Sequence, residues 1–382
     1  MASPTTRLEP ATATARTLLP NPGSEVEVVD PLLSPGWDAW VSRHPGATVF
    51  HRSAWCRTLV DAYGFTPLYL IRKDEGSPVA AWPLMEVGGT LRGRRGASLP
   101  FTDHCPPLLP TPQPTGTADV PGDLGDVALR EPLLAKAFDL GRQRRWHSLE
   151  LREAATWTRE DRASVRFFGH TIDLAEGEAA ALHRCDSAVR RSIRKAEASG
   201  LRAVHGQDSH AIRAYARLHA LTRRRHGLPP QPYPFFSALQ RHVLSPGLGT
   251  VLLVLKDQTP IAGAVFLFSG PQAIYKFGAS DETHQALRPN NLVFREAIRL
   301  CARQGATSLD LGRTSLANEG LRRFKRGWGS SERMVSYLRY DLRTRQTIPT
   351  PDRASGWHTL LFQHMPQPLA SLIGRFVYRL AA

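Results

Sequence analysis

The chain's 382 residues leave room for about two domains, each with its own core, and its composition is that of a globular protein, not a disordered or disulfide-stapled one. A net charge of +15 and a sequence pI of about 10.3 favour polyanionic partners such as phosphates, RNA, nucleotide-linked substrates or anionic lipid. Cys56, Cys105, Cys185 and Cys301 lie far apart, with no CxxC or Cys/His ligand spacing, so no structural zinc is expected and they read as reduced thiols of a cytoplasmic chain.

Residues 1–24 lack the apolar stretch of a secretory signal and read as a disordered tail. No apolar run approaches the roughly 18–20 residues of a membrane span. From residue 67 the pattern predicts strands at 67–73, 78–87 and 92–99, a helix at 129–145, and strands at 147–152 and 166–173. A Pro- and Gly-rich insert, Pro100 to Gly125, separates the third strand from the helix. Helices follow at 181–199 and 209–226; the second ends in Arg223-Arg224-Arg225-His226-Gly227 and an extended Leu228-Pro229-Pro230 exit. Strands at 249–256, 260–268 and 272–278, a helix at 291–304, a strand at 307–311, a helix at 318–326 and a strand at 333–341 complete the order.

The two halves repeat. Lys73-Asp74-Glu75-Gly76-Ser77-Pro78-Val79-Ala80-Ala81 matches Lys256-Asp257-Gln258-Thr259-Pro260-Ile261-Ala262-Gly263-Ala264, each a hairpin between apolar runs. Ser148-Leu149-Glu150-Leu151 matches Ser308-Leu309-Asp310-Leu311 at the end of a helix-to-strand unit. A meander followed by helix and strand gives an α/β (mixed α+β) fold, two tandem domains each with a mixed sheet and helices on its faces. The expected boundaries are 25–174, 175–345 and a basic amphipathic C-terminal segment, 346–382. In that segment Leu369, Leu372, Ile373, Phe376, Val377 and Leu380 fall on one helical stripe, with Arg375 and Arg379 off it. Such a helix either closes the second domain or lies peripherally on the inner face of a membrane.

Three stretches carry candidate chemistry. The helix 318–326 has Asn318 as N-cap and Glu319 in its first turn, and places Leu321, Phe324, Lys325 and Trp328 on one face. The chain has 43 Arg and only six Lys, so a lysine among three arginines and aimed into protein stands out. An ammonium there needs a partner or a role with developing negative charge; the plain alternative is a snorkelling side chain. Asp103, in Leu99-Pro100-Phe101-Thr102-Asp103-His104, is either a general base or amine-orienting acid, or an Asx-turn residue. Asp310, matched by Glu150, reads as a structural acid paired with a buried Arg. Arg313 at the strand end, and Arg225, fit phosphate or carboxylate ligands. P-loop, zinc-peptidase, Rossmann and serine-elbow motifs are absent.

The pattern Thr222-x-x-Arg225-x-Gly227-Leu228-Pro229, then Asp310-Leu311-Gly312-Arg313-Thr314, Asn318-Glu319-Gly320-Leu321 and Phe324-Lys325-Arg326-Gly327-Trp328-Gly329 resembles the FemAB-like acyltransferases, in the branch whose acetyltransferase domain is described as BioF2-like. Leu99 to Asp103 resembles the first-domain loop of that group, and the resemblance covers roughly residues 36–345. It implies two tandem GNAT-like domains and transfer of an acyl or aminoacyl group to an amine. In peptidoglycan-bridge members the donor is aminoacyl-tRNA and the acceptor a lipid- or nucleotide-linked muropeptide; many relatives of this branch accompany exopolysaccharide or envelope systems. The resemblance also implies that Lys325 stabilises the transition state, and that Asn318, Phe324, Arg326 and Trp328 join Arg225 and Arg313 around substrate. The chain lacks the long helical-hairpin insertion of some members and an evident Arg/Gln-x-x-Gly-x-Gly/Ala pyrophosphate loop.

The expectation is an N-acyltransferase without a metal, acting by direct attack of an amine, with acyl-CoA (or another acyl thioester) or aminoacyl-tRNA as donor. The acceptor is expected to belong to the cell envelope or a polysaccharide. The rivals are a non-catalytic RNA- or polyanion-binding module and an envelope-assembly scaffold on the same fold.

Overall fold

The computed structural model describes residues 26–89, 93–110, 123–153, 157, 163–350 and 357–381. The expected tail and most of the insert's second half lie outside the described residues. The first half runs β1 (Val26–Val29), α1 (Trp37–Arg43), α2 (Ser53–Tyr63), β2 (Thr66–Pro67), β3 (Tyr69–Asp74), β4 (Ser77–Trp82), β5 (Met85–Gly89), β6 (Gly93–Ala97), α3 (Asp123–Gln143), β7 (Trp146–Arg152) and β8 (Val165–Asp173). Next come α4 (Gly177–His183), α5 (Ser187–Ala198), β9 (Arg202–Gly206), α6 (Ser209–Arg225) and α7 (Tyr233–Leu239). The second meander is β10 (Gly249–Lys256), β11 (Thr259–Ser269) and β12 (Gln272–Ser280), followed by α8 (Pro289–Arg303), β13 (Ser308–Ser315), α9 (Glu319–Arg326) and β14 (Ser331–Asp341). A short β15 (Gln346–Thr347), α10 (Trp357–His364) and α11 (Gln367–Ala381) end the chain.

The strand order carries the duplication. In the second half it is β9-β10-β11-β12-β13, with β12 and β13 parallel; in the first it is β1-β3-β4, then β5-β6-β7, with β6 and β7 parallel. The strand expected at 78–87 is two strands, broken at Pro83, which cannot donate to a ladder; the equivalent β11 is continuous. Both repeated hairpins turn through two central residues of positive φ, Glu75 and Gly76 in one, Asp257 and Gln258 in the other. Both also shift register beside the matched prolines, Pro78 and Pro260, leaving Val79 and Ile261 as extra residues.

The halves exchange their last strands. β8 pairs antiparallel with β13, and β14 pairs antiparallel with β7, while β8 and β14 pair with each other. One sheet therefore runs β2-β5-β6-β7-β14-β8-β13-β12-β11-β10-β9 through both domains. The apolar cores follow the same plan. One lies under α3 around Leu133, Trp146 and Leu149; another lies between β10–β13 and α5 and α8, around Ile193, Phe266, Phe294 and Trp328. The third is shared: Trp55, Leu59 and Tyr63 of α2 pack with Tyr215, Phe235, Phe236 and Val265 of the second half.

The helix expected at 181–199 breaks into α4 and α5. Asp186 turns extended there, and its N–H donates to the Gly327 carbonyl at 2.8 Å, so the break docks the segment on the turn after α9. The strand expected to stop at 311 continues to Ser315, because Leu311 and Gly312 form a bulge opposite His170 and pairing with β8 resumes at Arg313.

Exchanged strands and a shared core tie the halves together, so they are expected to unfold as one unit. Calorimetry of the whole chain is expected to show a single transition, and a chain ending at Ser330, which lacks β14, to lose cooperative melting. Two resolved transitions, or a sharp melt of the shortened chain, would contradict this.

Candidate active site

Two irregularities open the sheet between β12 and β13. Their parallel pairing covers only Gln272–Ile274 against Ser308–Asp310. Beyond it, β12 bulges away from β11 at Phe277, whose φ is 59° and whose carbonyl accepts from the Tyr215 hydroxyl. On the other side β13 carries the Leu311–Gly312 bulge, with Gly312 at φ 70°. The strands splay, and a cavity of about 370 Å³ occupies the gap.

Asp103 fills the throat of that gap. Leu99 and Phe101, both at positive φ, fold the loop after β6 back over the sheet. The Thr102 hydroxyl donates to the Leu99 carbonyl at 2.8 Å, an Arg152 guanidinium N–H donates to the Thr102 carbonyl, and the Tyr337 hydroxyl donates to the Asp103 carbonyl. The carboxylate then lies 3.4 Å from Lys276 Nζ and 3.7 Å from Arg313 Nε. A Cβ at position 312 would stand 2.4 Å from Asp103 Oδ2, so only glycine admits the carboxylate here and takes the left-handed backbone.

The charges set one another's ionisation. Burial would raise the Asp103 pKa, but Lys276, Arg313 and Lys325 hold it down at about 2. Burial lowers the Lys276 pKa against the opposing pull of Asp103. Arg313 stacks its guanidinium over Phe167 at 4.2 Å and Tyr337 at 4.9 Å, which fixes its position at the cavity wall. Phe101 and Arg152 wall the cavity from the first half, His219, Arg223 and Gln231 from the second, and Tyr378 of α11 closes it.

Lys325 is buried, 3 % exposed, behind this wall. Its Nζ donates to the Gly312 carbonyl at 2.9 Å and the Arg313 carbonyl at 3.0 Å, clamping the bulge. Burial lowers its pKa to about 8, partly offset by Asp103 and Asp310. Asp310 receives the Gly312 N–H at 2.5 Å and pairs with His104 Nε2 at 2.9 Å, not with an arginine. Burial opposes protonation of His104, yet Asp310 holds its pKa above the ordinary histidine value. The matching Glu150 does pair with an arginine, Arg152, at 3.0 Å.

The other residues singled out in the sequence scatter. Asn318 caps α9, its side chain accepting the Leu321 N–H at 3.0 Å. Phe324 and Trp328 pack on Phe294, with ring centroids 5.2 and 5.3 Å away, in the second-half core. Arg326 is exposed. Arg225 borders a separate cavity of about 330 Å³ with Arg224, Asp281 and Glu282. Its neighbour Arg223 reaches the Asp103 cavity instead, donating to the Tyr378 hydroxyl at 2.7 Å. Sequence reasoning missed Lys276, although the scarcity of lysine that drew attention to Lys325 applies equally to it. Arg152 and Tyr378 carried no comparable signal.

Comparison with known proteins bears on the fold. Residues 183–326 match the family described as acetyltransferase (GNAT) domain. Among solved structures, FemX is 13 % identical, with 81 % of this chain and 96 % of that chain covered at a TM-score of 0.62. A tandem GNAT protein from the clavulanic acid biosynthesis pathway is 12 % identical, with 84 % and 98 % covered at a TM-score of 0.50. No curated protein matches the chain by sequence. These likenesses, with the repeated strand order and the exchanged last strands, make the fold two tandem GNAT-like domains.

Proposed function

We propose that this protein is an N-acyltransferase of the FemAB-like kind, which moves an acyl or aminoacyl group onto an amine at the Asp103 cavity. The observation that carries the reading is a half-buried carboxylate facing Lys276 and Arg313 where β12 and β13 splay. The match of residues 183–326 to the GNAT acetyltransferase domain supports it.

With its pKa near 2, Asp103 is a weak base, so its role is to accept the N–H of the incoming amine and aim the nitrogen lone pair. The nitrogen attacks the donor carbonyl carbon. The new N–C bond forms as the bond to the leaving thiolate or ribose oxygen breaks, and the proton lost from nitrogen ends on that leaving group. Lys276 and Arg313 face the oxygen that gains charge. Lys325 is a positioning residue: by holding the Gly312 and Arg313 carbonyls it keeps the bulge that aims Arg313 and admits Asp103. This moves the oxyanion role expected of Lys325 onto Lys276.

For the donor, both an acyl thioester and an aminoacyl-tRNA remain within the reading. The +15 charge suits either, since both carry phosphates. The acceptor is an amine of a cell-envelope or polysaccharide component, and the reaction takes place in the cytoplasm. Assays with acetyl-CoA (thiol release) and with charged tRNA (loss of the aminoacyl label), each with a panel of amino sugars and diamino acids, separate the donors. Retention of tRNA on filters at low salt and its steep loss with added salt are expected only for the tRNA donor. Absence of turnover with both donors across the panel would oppose acyl transfer.

Two comparisons test the roles. Lys276→Met is expected to cut turnover by roughly 10²–10³, the range seen on losing one transition-state donor, and Asp103→Asn, which loses the acceptor that aims the amine, by roughly 10², both with the fold retained. Folded variants with normal turnover would remove these residues from the reaction.

Lys325→Met leaves two carbonyls without their charged donor, so it is expected to lower stability by about 2–3 kcal/mol as well as turnover. The folded-state pKa of Lys325 lies below its unfolded value, so the folded lysine loses its proton first. Its charged form therefore weighs on the fold below about pH 8, and that cost fades as pH rises toward the ordinary lysine value. Melting temperatures of wild type and Lys325→Met across pH 7–10 check this. A variant as stable as wild type at every pH would contradict the clamp.

A further inference from the structure

The C-terminal helix docks with its narrow side. Ala370, Gly374 and Tyr378 face the body of the protein: a Cβ at Gly374 would stand 2.4 Å from the Pro230 carbonyl oxygen, and the Tyr378 hydroxyl donates to the Pro229 carbonyl at 3.0 Å. At about 100° per residue the opposite side of α11 carries Leu369, Leu372 and Phe376, which are 47, 53 and 60 % exposed. α10 adds Leu360 and Leu361, at 66 and 50 %. Five of the twelve large apolar side chains exposed among the described residues thus sit on these two helices, so the patch is concentrated and not scattered.

Along α11 the border of the patch is cationic, whereas beside α10 the arginines of α6 share a cavity with Asp281 and Glu282. Arg375 and Arg379 border one edge of the apolar stripe of α11, and no Asp or Glu follows Asp352 in the sequence. The α6 end lies against α10, with Arg224 Nε donating to the Gln363 carbonyl at 3.0 Å and the Gln363 amide donating to the Arg225 carbonyl at 3.2 Å. A second copy of the chain would bring two such cationic borders together across a two-fold axis, which like charge opposes. Apolar side chains edged by arginine, on helices lying flat against the protein, match the boundary between lipid headgroups and acyl chains. No described helix is long and apolar enough to cross a membrane, so the contact is one of surface.

We propose that the outer face of α10 and α11 docks on an anionic lipid bilayer, with Leu360, Leu361, Leu369, Leu372 and Phe376 in the headgroup boundary and the arginines on lipid phosphates. This does not depend on the acyl-transfer reading.

Flotation tests it with the full chain, using vesicles of phosphatidylcholine alone and of an equal mixture with phosphatidylglycerol. The protein is expected to float with the mixture and to stay behind with phosphatidylcholine. Leu372→Gln/Phe376→Gln, at exposed positions, is expected to keep the melting temperature and reduce the floated fraction by roughly tenfold. Arg375→Glu, which leaves the apolar stripe intact, is expected to weaken binding to the anionic vesicles as well. A wild type that does not float with the mixture, or variants that float equally, would overturn the proposal. So would light scattering that shows a wild-type dimer dissolved by the Leu372→Gln/Phe376→Gln change, since the patch would then belong to a second copy.

Discussion

A half-buried carboxylate held among three cations is the constraint on which the cavity depends. Lys276, Arg313 and Lys325 offset the partial loss of water around Asp103 and keep it ionised. The same holds in reverse for the two lysines, whose buried ammonium groups lean on Asp103. The surrounding architecture follows from this need. The loop after β6 adopts positive φ at Leu99 and Phe101 to bring the acid in; Gly312 omits a side chain to receive it; and Arg152 and Tyr337 hold the loop's carbonyls.

Duplication supplied two similar sheets, yet only one of them opens. In the second half the pairing of β12 with β13 ends at Ile274 and Asp310. In the first, β6 and β7 stay paired through Ala97 and Glu150, and the Ser98 N–H bonds the Glu150 carbonyl beyond that. The first-half position matching Asp310 is closed by the Glu150–Arg152 pair, and Arg152 then turns to support the Asp103 loop. One copy became the cleft, and the other became the frame that delivers an acid to it.

Local signals made most of this fold legible in the sequence. The hairpins at Lys73 and Lys256, the apolar runs of β10 and β11 and the Asn318 cap are all set by near neighbours, so pattern and turn chemistry predicted them. Gly312 was visible as a break but not as a bulge, because a bulge is defined by the partner strand, β8, which lies far away in sequence. Strand exchange was invisible for the same reason: nothing local in Ser331–Asp341 says which edge it joins. For the site, Asp103 and Arg313 were legible as charged residues at strand ends and do meet. Arg225 and Arg223 are two residues apart on one helix end, and a periodicity argument could not choose between them; the choice was made by the C-terminal helix and its Tyr378 hydroxyl.

The insertion of β14 between β7 and β8 has a consequence for the chain as it leaves the ribosome. β7 and β8 emerge early, but the strand that seals both of them, β14, is translated only after nearly the whole second half. Throughout that interval the nascent polypeptide carries open edges, with rows of amide and carbonyl groups ready to accept any extended segment. A neighbouring nascent chain of the same kind offers the best-matched segment of all. Until its own β14 is made, the chain holds β7 and β8 without the strand that joins them.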